Sequence, residues 1–279
     1  MKHAPSLVAE PPGLAGWRAA HPEDDQASED EARVVWQRFK DSGHAYTELV
    51  DALLERQQGL CGYCEQRLTK ADGTRVSNDY QVEHVQPKSG GSGRTLAWEN
   101  LLACCGGGTY PHHRDPTRHR RDPRRGLNDS CGQTKRDDEL PPGCDPRTFP
   151  WREAIVFIEL DGRMRPDEAA CARAGIDPET LRHAIDVTLD LNCERLRMAR
   201  EQCITTLNGS VVDVFAWALE LAPNLPKTEA NALLMSLAGG RLRPDAHGHL
   251  CRFWSTERQY LGPPAEAWIA SNAARLHFD

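Results

Sequence analysis

Apolar residues in the first sixty positions recur at the spacing of amphipathic α-helices. One such stretch covers residues 29–40 and a second covers residues 46–58. Their apolar positions are Val34, Val35 and Phe39 in the first, and Leu49, Leu53 and Leu54 in the second. Gly59 follows the second stretch, where a glycine commonly ends a helix. Residues 1–28 are rich in proline, alanine and acidic residues and are expected to form an extended arm.

Between residues 59 and 150 the apolar stretches are short and lie among glycine-rich and charged segments. Apolar and polar residues alternate over residues 80–82, which predicts a short strand that runs into a proline-broken loop. Residues 98–102 fit the apolar side of a short helix. Asn100 lies within that stretch, and an asparagine at a helix start more often caps than catalyses.

Beyond residue 150 the pattern predicts one hairpin followed by helices. Residues 154–160 and 163–165 flank Asp161-Gly162, a pair that is typical of a tight β-turn. After Pro166, apolar stripes at helical spacing continue to the end of the sequence and are separated by prolines.

Composition narrows the class of protein. With 279 residues, 39% hydrophobic and 27% charged, the chain can bury a sizeable core in one or two domains. No apolar window is long enough for a transmembrane helix, and the first ten residues lack the apolar region of a secretory signal. The expected location is therefore the bacterial cytoplasm, without membrane attachment. A net charge of −7 argues against a general polyanion-binding surface, so any nucleic-acid contact must come from local charge.

The ten cysteines divide into two groups. Five are scattered singly and are expected to be small core residues: Cys144, Cys171, Cys193, Cys203 and Cys251. The other five lie between residues 61 and 131. Cys61 and Cys64 form a CxxC pair that fits a tetrahedral Zn²⁺ site, and the flanking sequence lacks the pattern of a thioredoxin-like redox pair. Further thiols at Cys104, Cys105 and Cys131 favour a closed structural zinc site.

Glu83 and His84 stand together at the end of the predicted strand. Neighbours on a strand normally face opposite sides, but a bend at its end brings both toward one site. There the carboxylate could hold a hard divalent cation and the imidazole could deprotonate a water. Taken alone, such a pair is far more often a surface glutamate beside a partly buried histidine.

The order of these motifs resembles the HNH endonucleases, and more closely the PtuB-like HNH proteins of bacterial anti-phage systems (Septu and certain retrons). The resemblance lies in residues 57–65, 83–89, 98–102 and 189–196, and it weakens over the last seventy or so residues. It implies an α+β, mostly helical fold with a ββα-metal nuclease core stitched by zinc and flanked by N- and C-terminal helices. The implied parts are an N-terminal arm with helices (1–58), the nuclease core with an insertion at 106–130 (59–150), and a β-hairpin with a helical region (151–279).

The resemblance also implies roles for individual residues. His84 corresponds to the general base, and Glu83 corresponds to a ligand of a catalytic Mg²⁺ or Mn²⁺. Asn100 corresponds to the residue that braces the histidine-bearing loop. The implied structural zinc ligands are Cys61, Cys64, Cys105 and Cys131, with Cys104 as the alternative to Cys105.

Two departures from the family pattern concern the last part of the motif. Residues 106–130 separate the third and fourth cysteines, where two residues are usual. Gly132 occupies the position of a metal-binding histidine or asparagine and has no side chain to offer. The candidates to replace that ligand are Asp129, Gln133, His112 and His113.

The insertion carries six arginines and two aspartates between residues 111 and 125, a local charge of +4. Such a segment is either a solvated loop or a flap that grips phosphate beside the site. The predicted nucleic-acid contacts are Arg114, Arg118, Arg120, Arg121 and, after the insertion, Lys135. A surface position without a ligand is the alternative for Lys135.

The favoured hypothesis is a DNA-hydrolysing effector that works with a PtuA-like ABC-type ATPase. RNA such as tRNA is the alternative substrate, since discrimination rests on 2′-hydroxyl contacts that no motif reveals. Two further hypotheses are a catalytically decayed zinc-stabilised nucleic-acid-binding module and a subunit that serves mainly its partner. The acidic arm and the C-terminal helices are the candidate docking surfaces.

Overall fold

The structure is a computed structural model that describes residues 2–77, 79–109, 129–222 and 226–276. It is mostly helical, as the sequence predicts. Three helices precede the cysteine-rich part: α1 (Pro12–Ala20), α2 (Ala32–Lys40) and α3 (His44–Arg56). The expectation of an extended arm is wrong for Pro12–Ala20. Proline at the first turn favours helix, and Leu14 is fully buried in the core shared with α3.

The two predicted N-terminal helices are confirmed as α2 and α3, but one residue predicted on the apolar side of α2 lies on its solvent side. Val35 and Phe39 of α2 are buried, whereas Val34 is 66% exposed and lies on the solvent side. The three leucines of α3 are buried as expected. Gly59 has a φ of +74° and donates its N–H to the Leu54 carbonyl at 2.7 Å, which ends the helix.

An antiparallel hairpin lies next along the chain. Strand β1 (Tyr80–His84) confirms the predicted strand and pairs with β2 (Leu101–Cys105), with His84 opposite Leu101. The predicted helix at 98–102 is wrong, because Trp98–Asn100 form only a single 3₁₀ turn before β2. All five residues of β2 are buried, and a fully buried strand shows no alternation by which to distinguish it from a helix.

The remaining elements follow the predicted order. A short helix, α4 (Gly132–Lys135), precedes the confirmed hairpin of β3 (Val156–Ile158) and β4 (Met164–Pro166). The helices beyond it are α5 (Glu168–Ala174), α6 (Pro178–His183), α7 (Glu194–Leu221), α8 (Lys227–Leu242), α9 (Trp254–Leu261) and α10 (Pro263–Asn272).

Side-chain amides protect both edges of the β3–β4 hairpin. Asn192 accepts from the Met164 N–H and donates to the Met164 carbonyl, each at 2.8 Å. On the other edge, Gln259 accepts from the Ile158 N–H at 2.7 Å and donates to its carbonyl at 2.8 Å. Each amide satisfies the backbone groups that a neighbouring strand would otherwise bind.

Buried apolar residues form two clusters. The larger one joins α1–α3, the β1–β2 hairpin, eight of the ten cysteines, further residues up to Ile204, and Phe253. The smaller one lies among α7–α10 and includes Trp254 and Leu242. In the described part of the chain, no helix combines the length and the apolar character that crossing a membrane requires.

Candidate active site and metal centre

Glu83 and His84 line the same cavity, which measures about 270 Å³. They are the last two residues of β1, and both are buried. The cavity wall continues onto α4 through Gly132 and Gln133. The end of the strand therefore brings the two residues of the predicted pair together with the short helix that follows the hairpin.

The His84 imidazole is fixed on two sides. Its Nε2 lies 2.9 Å from the Thr95 carbonyl oxygen, and its ring packs edge-on against Trp36 at 4.5 Å between centroids. Because a carbonyl only accepts, Nε2 carries the proton and Nδ1 keeps its lone pair. Burial lowers the pKa of His84 to about 3, so the imidazole is neutral at cellular pH and is a weaker base than free imidazole.

The Glu83 carboxylate is bound by a buried lysine. Lys135 Nζ lies 3.0 Å from Glu83 Oε1 and donates to the His84 carbonyl, also at 3.0 Å. The Tyr63 hydroxyl donates to Glu83 Oε1 at 3.5 Å. Burial raises the pKa of Glu83, and the Lys135 ammonium opposes that rise. Lys135 is wholly buried, which excludes the alternative of a surface lysine, while its contact with phosphate stays a prediction.

Asn100 joins the two ends of the loop that follows β1. Its Oδ1 accepts from the Gln86 N–H and its Nδ2 donates to the Gln86 carbonyl, both at 2.8 Å. The Asn100 carbonyl also accepts from the Val85 N–H at 3.0 Å. These bonds hold the backbone directly after His84, the geometry that a bracing role needs.

Gly132 lies directly against the Glu83 carboxylate. A Cβ at this position would stand 2.3 Å from Glu83 Oε2 and 2.7 Å from Gln81 Nε2, well inside van der Waals contact. A histidine or asparagine here would have to displace Glu83. The absent side chain is thus a packing requirement of this arrangement.

We expect Gly132→Ala to displace Glu83 and to lower any cleavage rate by about 10²-fold, since small misplacements in an active site have effects of that size. Gly209→Ala is the matched control, because a Cβ there meets nothing within 4 Å. Cleavage rates would be compared at equal zinc content and melting temperature. Full activity in the Gly132→Ala variant would contradict this role for the glycine.

Basic side chains line the cavity beside the histidine. Lys40, Lys88 and Arg136 form part of its wall, and Asp137 is the acidic residue there besides Glu83. This charge suits a phosphate group at the cavity mouth. The predicted contacts Arg114, Arg118, Arg120 and Arg121, and the candidate ligands His112 and His113, lie outside the described residues.

Five buried cysteines meet below the hairpin. Cys61, Cys104, Cys105 and Cys131 have Sγ atoms within 4.8 Å of one another, and Cys64 Sγ lies 3.7 Å from Cys105 Sγ. The pairs Cys61–Cys104, Cys105–Cys131 and Cys61–Cys131 lie at 3.5, 3.7 and 4.0 Å. Four sulfurs around a tetrahedral zinc lie about 3.8 Å apart, so these spacings fit the ion. The choice of four ligands among the five stays a prediction.

The pKa values of the clustered cysteines move in opposite directions, down for Cys61 and Cys105 and up for Cys104 and Cys131. Burial raises the pKa of Cys61, but hydrogen bonds with Cys104, Cys105 and Cys131 outweigh it and lower the value to about 5. Hydrogen bonds with Cys104 and Cys131 likewise lower the pKa of Cys105 to about 5. Thiolate is the form that binds metal, so the geometry and the charge both favour Zn²⁺.

Arg195 lies beside this cluster and was not predicted from the sequence. Its Nη2 donates to Ser130 Oγ at 2.7 Å, and its buried Nε has no hydrogen-bond partner among the described residues. Burial lowers the pKa of Arg195, but the nearby cysteine thiolates outweigh this and raise it. Its charge therefore offsets part of the negative charge of a four-thiolate site. Trp36, Tyr63 and Thr95 were missed as well. Trp36 and Thr95 belong to no local motif, and in the CxxC motif around Tyr63 only the cysteines were given a role.

The cavity also fits a divalent cation of the magnesium type, though with few protein ligands. Mg²⁺ usually keeps several waters and takes one or two carboxylates together with substrate phosphate. Glu83 supplies the carboxylate, and the Gln133 side chain lines the same wall. Within the described ranges, the cysteine cluster is the one group of three or more His, Cys, Asp or Glu ligands spaced for a single ion. Glu83 with substrate phosphate is therefore the ligand set that the cavity supports.

Comparison with known proteins supports the nuclease interpretation. No protein-family model matches the chain. The chain is 28% identical over 206 residues to the "Retron Ec83 putative HNH endonuclease" of Escherichia coli, which covers 63% of this chain and 72% of that protein. This similarity supports an HNH endonuclease related to retron-associated proteins.

Proposed function

We propose that this protein is a metal-dependent HNH endonuclease that hydrolyses phosphodiester bonds of DNA. The observation that carries the proposal is the placement of a neutral, oriented His84 beside Glu83 in one basic-rimmed cavity. The order of hairpin, cysteine cluster and α4 around that cavity accords with the ββα-metal architecture that the motifs imply. The similarity to the retron protein supports the same class of enzyme.

In the proposed reaction, His84 Nδ1 takes a proton from a water molecule as the water oxygen attacks the phosphorus. The bond between phosphorus and the 3′ oxygen then breaks. The Thr95 carbonyl keeps the imidazole in the tautomer that leaves Nδ1 free. Lys40, Lys88 and Arg136 bind the phosphates on either side. A bound Mg²⁺ or Mn²⁺ would stabilise negative charge on the phosphate and on the leaving oxygen.

We further propose that the protein is the effector of an anti-phage system and acts with a PtuA-like ABC-type ATPase. The retron relation of the similar protein supports this setting. Val212 and Leu219 are exposed apolar residues seven positions apart on the C-terminal half of α7, so they share one face of that helix, on which a partner could pack.

A cleavage assay tests the proposal. The purified full-length protein and its Glu83→Gln variant would be incubated with plasmid DNA and with total tRNA, in Mg²⁺, Mn²⁺ or EDTA, with and without the ATPase. We expect the unmodified protein to cleave the plasmid when Mg²⁺ or Mn²⁺ is present, and we expect no cleavage in EDTA. Zinc content after exposure to EDTA separates loss of the catalytic ion from loss of the cysteine-bound ion.

Two other outcomes would change the conclusion. Cleavage of tRNA without cleavage of plasmid would assign RNA as the substrate. Nucleic-acid binding without cleavage by the folded, zinc-loaded protein, even with the ATPase, would overturn the enzyme in favour of the decayed binding module.

A further inference from the structure

The Lys135 ammonium binds the one carboxylate that the proposed catalytic ion needs. It lies 3.0 Å from Glu83 Oε1, its side chain is wholly buried, and its second bond goes to the His84 carbonyl. Lys135 is therefore held between the two residues of the candidate site by bonds to both.

A second cation at Glu83 meets this ammonium at close range. Repulsion between two cations a few ångströms apart is weakly screened in a buried setting. Gly132 packs against Glu83 Oε2 and supplies no ligand, so Asp137 is the one other carboxylate that the described residues place in the cavity wall. Lys88, Lys40 and Arg136 add further positive charge to the cavity wall. An anionic phosphate in the cavity would offset that charge.

We propose that Lys135 is a positioning residue that fixes Glu83 and the His84 peptide and, by competing for Glu83, makes tight uptake of the divalent cation depend on bound nucleic-acid phosphate. This inference rests on the proposed function and concerns how binding of the cation at the same site is regulated by the substrate. The free protein then holds the ion weakly, and the substrate completes the ligand set.

The test measures Mn²⁺ binding by the zinc-loaded, full-length protein, using the electron paramagnetic resonance signal of free Mn²⁺. Neutralising the lysine in Lys135→Met should tighten Mn²⁺ binding by about tenfold, equivalent to about 1.4 kcal/mol. Lys135→Arg should bind Mn²⁺ as the unmodified protein does.

Lys40→Met is the matched control, because it removes a cation from the same cavity wall without touching Glu83. Its affinity for Mn²⁺ should stay within about threefold of the unmodified protein, since more distant charges are better screened. Adding Glu83→Gln to Lys135→Met should abolish the gain.

A second arm needs no change at Lys135. Phosphorothioate-substituted DNA, which resists hydrolysis, should tighten Mn²⁺ binding to the unmodified protein beyond its effect on Glu83→Gln. Unchanged or weaker Mn²⁺ binding in Lys135→Met would overturn the proposal. If that variant does not retain zinc, an absence of any DNA effect on the unmodified protein would overturn it instead.

These readouts are independent of cleavage. If Lys135→Met binds Mn²⁺ more tightly but the unmodified protein cleaves nothing, the competition between Lys135 and the ion is supported and the proposed nuclease activity is refuted. If the unmodified protein cleaves nucleic acid but Lys135→Met binds Mn²⁺ no more tightly, the nuclease activity is supported and the competition is refuted.

Discussion

Removing the metal from the cysteine cluster should unfold the larger core of the protein. A structural zinc contributes on the order of 10 kcal/mol to folding, and a protein of this kind has a net stability of about 5–15 kcal/mol. The cluster also ties distant parts of the chain together, since Cys61, β2 and the turn at Cys131 meet there. Without the ion, the buried thiolates would repel one another in a site of low polarity.

The measurement is thermal unfolding, followed by circular dichroism, before and after treatment with a zinc-selective chelator. Cys61→Ser should reproduce the loss of cooperative unfolding. Cys144→Ser is the matched control, since Cys144 is equally buried but is not part of the cluster. A chelated, zinc-free protein with an unchanged melting temperature would refute a structural metal.

The zinc content of two further variants decides the ligand set. The motif spacing selects Cys64, whereas the closest grouping of sulfur atoms selects Cys104. Zinc content near one ion per chain in Cys64→Ser and its loss in Cys104→Ser would establish the second set. The opposite result would establish the set predicted from the sequence.

The pattern of apolar and polar residues predicted those elements of the fold that have one solvent-exposed face. Three such elements were predicted from the alternation at residues 80–82, the Asp161-Gly162 turn and the leucines of α3. The structure confirms them as β1, the β3–β4 hairpin and α3. Strand β2 has no exposed face, so its apolar run was mistaken for a helix. The arm was expected to be extended because it is rich in proline, alanine and acidic residues, yet Pro12 lies at the first turn of α1, where proline is favourable.

The candidate site shows a different limit of sequence reasoning. Motif order brought Glu83, His84 and Asn100 into one hypothesis, and the structure places the first two at one cavity. Gly132 was interpreted as a missing ligand, because spacing cannot reveal that the Glu83 carboxylate fills that space. Lys135 was expected at the phosphate or the surface, because its burial depends on the packing of α4 against β1.

His84→Ala should lower the rate of cleavage by about 10²–10⁴-fold, the range that a general base contributes. The substrate KM should change little, because the basic residues of the cavity wall remain. The alanine variant also loses the packing against Trp36, so the rate must be compared at equal zinc content and with the melting temperature measured. His44→Ala, a change at an exposed histidine of α3, is the matched control.

Rescue by added imidazole separates proton transfer from structure. The alanine variant leaves space where the ring stood, and a small base that enters it can take the proton from water. The rate in His84→Ala should therefore rise with the concentration of neutral imidazole, while Glu83→Gln should not respond. A His84→Ala protein that cleaves at the unmodified rate would remove His84 as the base. A folded variant that is inactive but never rescued would point to the contacts with Trp36 and Thr95 as the reason for its loss.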